Sequence, residues 1–99
     1  LLGVKADTLR QEGAVSEAVV REMAAGALRR SHAQAALAIS GVAGPSGGSP
    51  GKPVGTVCFA WVLQSGEPTA ETLHFSGDRE AVRKQSVVYA LQGLLRMLD

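Results

Sequence analysis

At 99 residues, with 45% hydrophobic and 19% charged side chains and a formal charge of +1, the chain has the composition of one small globular domain spanning 1–99. That balance leaves no electrostatic platform for nucleic acid, and 4% aromatic content leaves no base-stacking one. No apolar run approaches the ~20 residues that cross a bilayer, and no basic segment precedes a signal-like core, so no membrane partner is expected.

The chain opens LLGVKADTLRQEG, without Met and with two leading leucines, whereas natural termini are more often polar. It reads as starting inside a longer domain. Leu1 to Gly13 predicts a short helical turn, with Asp7 as N-cap and Gly13 as terminator. VSEAVVREMAAGALRRS predicts a clear helix, capped by Ser16, with Glu17 and Arg21 one turn apart and Arg29 and Arg30 at the negative end of its dipole. Val19, Val20, Met23, Ala24, Ala27 and Leu28 share one face of it. Gly26 weakens such a helix by up to ~1 kcal/mol unless a neighbouring backbone packs against it.

Ala35 to Ser40 reads as a buried strand ending at a long glycine-rich loop. VGTVCFAWVL, apolar on both faces, reads as a central strand, and its Cys58 as a buried thiol in a reducing, cytoplasmic compartment. TAETLHFS alternates, Leu73 and Phe75 on one side and Thr72 and His74 on the other, and should pair with it as an antiparallel hairpin. The last helix is expected to start with Asp78 as N-cap and to face the core with Val87, Leu91, Leu94, Leu95 and Leu98. The element order fits an α/β fold, an α/β/α layered sheet flanked by helices.

The stretch from residue 39 to 57 holds half of the twelve glycines and all but one of the four prolines. A backbone with so few Cβ atoms lets main-chain N–H groups approach a ligand, often an anion. It is not a P-loop, because Ser46 and Pro53 stand where that motif needs its first Gly and its metal-binding hydroxyl. Nor is it a Rossmann fingerprint, since Gly41, Gly44, Gly47 and Gly48 are spaced differently and Pro50 and Pro53 prevent a helix from starting. Gly44 to Gly48 satisfies G-x-S-x-G, yet a nucleophile elbow needs a helix directly after the serine, so Ser46 is read as non-catalytic. His32 and His74 have no companions at ligand spacing and are read as a surface and a hydrogen-bonded sheet histidine, with no metal site.

Ser40 ends a strand where the loop departs, and ligands of α/β sheets gather outside the carboxyl ends of strands. The ordinary alternative is a hydroxyl bonded to local backbone. Arg79 sits at a helix N-terminus, where the dipole disfavours a cation unless an anion binds beside it; its alternative is a solvated surface charge. Lys52 could neutralise an anion or be a loop lysine in water.

ISGVAGPSGGSPGKPVGTVCFAW (39–61) together with FSGDREAVRKQSVVYAL (75–91) closely resembles the C-terminal domain of the CinA family, the nicotinamide mononucleotide deamidases. The opening 28 residues resemble the stretch that family carries before its glycine loop. The resemblance implies an α/β/α hydrolase, acting on nicotinamide mononucleotide (NMN) in pyridine-nucleotide recycling, without a metal or other cofactor, as a homo-oligomer such as a dimer. It implies that Ser40 orients the reacting amide or its oxyanion and that Arg79, in G-D-R, lines the same pocket, both as catalytic residues. Gly41, Ala43, Gly44, Gly47, Gly48 and Lys52 would contact substrate. The family's nucleophilic serine lies in a T-A-E-S-C-T-G-G segment, followed by a Tyr and a Lys, and none of that segment occurs in this sequence. The resemblance therefore implies an incomplete domain, inactive alone, with an apolar flank prone to self-association. Two other functions stay open: a non-catalytic competence or damage-inducible interaction module, and an anion-binding loop for another phosphorylated metabolite.

Overall fold

The computed structural model describes residues 4–13, 15–42 and 53–98. Helices α1 (Ala6–Glu12) and α2 (Glu17–Arg29) precede strands β1 (Ala35–Gly41), β2 (Thr56–Leu63) and β3 (Thr69–His74), and helix α3 (Arg79–Leu98) follows. The strands form one antiparallel sheet in the order β1-β2-β3.

Local chemistry sets the helix ends. The Ser16 hydroxyl accepts from the Val19 N–H at 3.2 Å and donates to the Gly13 carbonyl at 2.9 Å, so one side chain joins the end of α1 to the start of α2. Gly13, at φ 82°, terminates α1 as expected. Asp7 does not cap it: the cap position is Lys5, which makes no side-chain cap bond, and Asp7 sits inside the first turn. Glu22 holds α1 onto α2 instead, accepting from the Thr8 hydroxyl and from the Lys5 main-chain N–H at 2.7 Å. Those two bonds, Thr8 first, hold its carboxyl below the usual carboxylate range against the opposing effect of desolvation, and the Lys5 charge lowers it further.

Alternation along the strands sends side chains to two cores. Ala38, Cys58, Ala60 and Val62 meet Val20 and Ala24 of α2 on one face. Val57, Phe59 and Trp61 meet Val82 and Ala90 of α3 on the other. The layered α/β/α expectation holds, and β2 is the central strand, buried from Thr56 to Val62. β1 is only half-buried apart from the buried Ala38 and the exposed Gly41, because it is an edge strand of this sheet rather than an interior one. On α2, Val19, Val20 and Ala24 are buried as expected, while Ala27 is exposed and Gly26 is buried.

The packed face of α3 differs from the leucine stripe expected of it. Val87, Leu91, Leu95 and Leu98 are exposed, Leu95 by 62%, and only Leu94 of that stripe packs inward. Val82, Ser86, Ala90 and Gly93 are buried instead. The reason is on the sheet. Phe59 and Trp61 stack with centroids 5.8 Å apart, and the Trp61 indole N–H donates to the Ala90 carbonyl at 3.0 Å. A helix can lie that close to an indole only along a seam of small residues, and a Cβ on Gly93 would come within 2.5 Å of the ring. Tyr89 completes the cluster, its ring 5.1 Å from that of Phe59 and its hydroxyl donating to Glu71, which raises the phenol's pKa. Among the described residues, no helix is long and apolar enough to cross a membrane.

Candidate functional site

Antiparallel pairing brings three strand ends to one end of the sheet. Gly41 at the end of β1 lies opposite Val57 at the start of β2, and Thr56 lies opposite His74 at the end of β3. The pairing continues past β1 through Val42, whose N–H donates to Thr56 at 2.9 Å and whose carbonyl accepts from Gly55 at 2.8 Å. Gly55 has φ 95°, and a Cβ there would stand 2.3 Å from the Phe75 carbonyl oxygen, so only glycine fits. Its own carbonyl accepts from the Phe75 N–H at 2.9 Å, and the His74 ring meets the Val54 carbonyl at 2.9 Å. His74 is thus the hydrogen-bonded sheet histidine expected, and His32 is exposed.

This staple aims the β3–α3 connection. Gly77, at φ 111°, turns the chain into Asp78, whose carboxylate accepts from the Ala81 N–H at 2.9 Å, the N-cap read from the sequence. Gln85 donates back to the Ser76 carbonyl at 2.9 Å and steadies the same turn. Arg79 follows as the first residue of α3, exposed and lining a cavity of about 300 Å³. Ile39, Gly41, Val42 and Val57 line the cavity from the sheet. Arg79, Val82, Arg83, Ser86 and Val87 line it from the helix. Ser86 spends its proton on the Val82 carbonyl at 2.7 Å.

The structure therefore brings Gly41 and Arg79 to one cavity. Ser40 is at the same end of the sheet but on the opposite face: it sits cross-strand from Cys58 and two residues beyond Ala38, both in the core under α2. It is half-buried there, and it is not among the described residues that line the cavity under α3. Nearby on that face the Cys58 thiol meets the Thr72 hydroxyl at 3.4 Å, and Thr72 donates to the Glu17 carboxylate at 2.7 Å. Ala43, Gly44, Ser46, Gly47, Gly48 and Lys52 lie outside the described residues.

Arg83 lines the cavity beside Arg79 without having stood out in the sequence. Its signal was its spacing, one helical turn after Arg79. With two guanidiniums and no carboxylate among its described lining residues, the cavity suits an anion. A second cavity of about 260 Å³ lies further along α3, where Glu71 and Arg96 offer opposite charges beside Trp61.

The model of the CinA C-terminal domain family matches residues 1–98. The chain is 56% identical over 94 residues to the nicotinamide-nucleotide amidohydrolase PncC of Escherichia coli strain K12, covering 95% of this chain and 57% of that protein. It is 53% identical over 106 residues to a putative competence-damage inducible protein of Symbiobacterium thermophilum, covering 99% of this chain and 25% of that one. Its fold superposes with a TM-score of 0.91 on the crystal structure of a competence or damage-inducible protein from Enterobacter asburiae, at 46% identity, over 99% of this chain and 61% of that one.

Proposed function

The chain belongs to the CinA C-terminal domain family, and from that membership we propose that it carries part of the substrate cavity of a nicotinamide-nucleotide amidohydrolase. The reaction is hydrolysis of NMN to nicotinic acid mononucleotide: the amide C–N bond breaks, water supplies the new oxygen, and ammonia leaves. The observation that carries the reading is the 56% identity to an enzyme of that name, over 95% of this chain. The cavity between Gly41 and Arg79 supports it, being walled by apolar side chains and fringed by cations alone among its described lining residues.

In this reading Arg79 donates to the bound nucleotide, and the main chain at Gly41 passes close to it. A Cβ at Gly41 would press on Val57 at 3.2 Å and on the Thr56 carbonyl at 3.4 Å, so glycine keeps that wall thin. Ser40, which the family resemblance gives as donor to the amide oxygen, projects from the other face of β1 and so has no contact with a ligand in this cavity. Ala43, Gly44, Gly47, Gly48 and Lys52 add contacts from the loop. A homo-oligomer belongs to the same proposal, supported by the exposed apolar stripe of α3, and so does a cytoplasmic location, supported by the free, buried Cys58.

Calorimetric titration tests the proposal with three ligands: NMN, nicotinic acid mononucleotide and inorganic phosphate. Both mononucleotides are expected to bind at least about 10-fold more tightly than phosphate, because ring and ribose contacts add to the anion's. Equal binding of all three would reduce the cavity to an anion site. No binding of any would leave the interaction-module reading that the competence-damage relatives suggest.

A further inference from the structure

Arg83 has no role in the reading above. It shares the cavity with Arg79, one helical turn further along α3, roughly 6 Å along the helix axis. Two like charges at that spacing repel, and both stand near the positive end of the helix dipole, which disfavours them further. Neutralising partners are at hand in sequence, since Glu80 lies three residues before Arg83 and Asp78 just before Arg79. Neither is used. Among the described residues the ion pairs are Arg10 with Asp7 and Arg21 with Glu17, and no hydrogen bond engages either cavity arginine. Asp78 spends its carboxylate on capping the helix.

Two unpaired guanidiniums on one helix face, against the apolar wall of Ile39, Val42 and Val57, make a receptor for a doubly charged tetrahedral anion. Each fork can hold two oxygens of a phosphate, and both guanidiniums are exposed and so reachable from solvent. From this arrangement we infer that Arg83 is the residue that holds the substrate's phosphate, so that it adds to the binding of a nucleoside monophosphate and nothing to that of the uncharged nucleoside. The inference rests on the amidohydrolase reading for what the phosphate is attached to, and on the cavity alone for the anion. Arg79, which lines the same cavity, shares the phosphate.

The test is titration of the full 99-residue chain and its Arg83→Gln variant with NMN, with nicotinamide riboside, which lacks the phosphate, and with inorganic phosphate. Arg83→Gln should weaken NMN about 10- to 100-fold, the range of a lost charge-assisted contact, and leave riboside binding unchanged. Arg83→Lys should recover part of the loss, since it restores charge without the fork. Lys84→Gln, which removes the same charge from the neighbouring position outside this cavity, should bind NMN like the parent chain. Equal weakening of NMN and riboside, or no change in NMN, overturns the inference. If neither NMN nor riboside binds the parent chain, the amidohydrolase reading fails by itself. Inorganic phosphate then decides on Arg83: binding lost in Arg83→Gln upholds it, and binding retained or absent throughout overturns it.

Discussion

Incubated with NMN, the 99-residue chain should release no ammonia above the uncatalysed background. Amide hydrolysis through an acyl-enzyme needs a nucleophile activated by an adjacent base and donors preplaced for the oxyanion. The side-chain bonds described in the fold do not supply the first part. Ser16 and Ser86 spend their hydroxyls on main-chain carbonyls, Thr8 and Thr72 on carboxylates, and Cys58 faces a threonine rather than a base. His74 is occupied with the Val54 carbonyl. What the described residues of the cavity contribute is two guanidiniums and the main chain at Gly41 beside an apolar wall. Placing the family's T-A-E-S-C-T-G-G segment, with its Tyr and Lys, ahead of Leu1 should raise ammonia release to an enzymatic rate, on the order of 10⁶-fold or more above background. A coupled ammonia assay on both chains is the check. Equal rates in the two would contradict this division of labour.

The second large effect concerns the seam that seats α3. Gly93→Ala should destabilise the fold by about 2–3 kcal/mol, at the upper end of what one inserted methyl group does in a packed core. The added Cβ would stand 2.5 Å from two ring carbons of Trp61 and 2.8 Å from its nitrogen. The indole has no free direction in which to yield. It is 4% exposed, stacked on Phe59 at an interplanar angle of 7°, and tied to the Ala90 carbonyl. Relief must come from lifting α3, and that also shifts Arg79 and Arg83 at the helix's other end. Urea denaturation followed by tryptophan fluorescence measures the change. Leu95→Ala on the exposed stripe should stay within ~0.5 kcal/mol of the parent chain. A Gly93→Ala loss no larger than that would mean that α3 does not rest on Trp61 as described.

Which features were legible follows from where their causes lie. Caps made by one side chain and a neighbouring N–H, Ser16 and Asp78, could be read directly, because every atom involved is within one turn. The central strand could be read because burial on both faces leaves no polar alternation in TVCFAWVL. The leucine stripe of α3 misled for a definite reason. Periodicity identifies an apolar face but not the shape of its partner, and here large aromatics on the sheet select the face built from Ala90 and Gly93. At the site, the resemblance implied that Arg79 and Gly41 share a pocket, although β1 and α3 are not neighbours in the chain. The face from which Ser40 projects could not be read, because that depends on register with Cys58. Arg83 was passed over because a lone arginine in a helix is ordinary until a cavity is found beside it.

The space between the first strand's end and the last helix's first turns is the proposed mononucleotide site. Backbone amide shifts of the isotopically labelled chain, followed during titration with NMN, test it most directly. The account predicts progressive shifts at Gly41, Val42, Val57, Val82 and Arg83, with Thr69, Glu71 and Gly93 at the second cavity unmoved. Shifts confined to that second cavity, or none at saturating nucleotide, would contradict it.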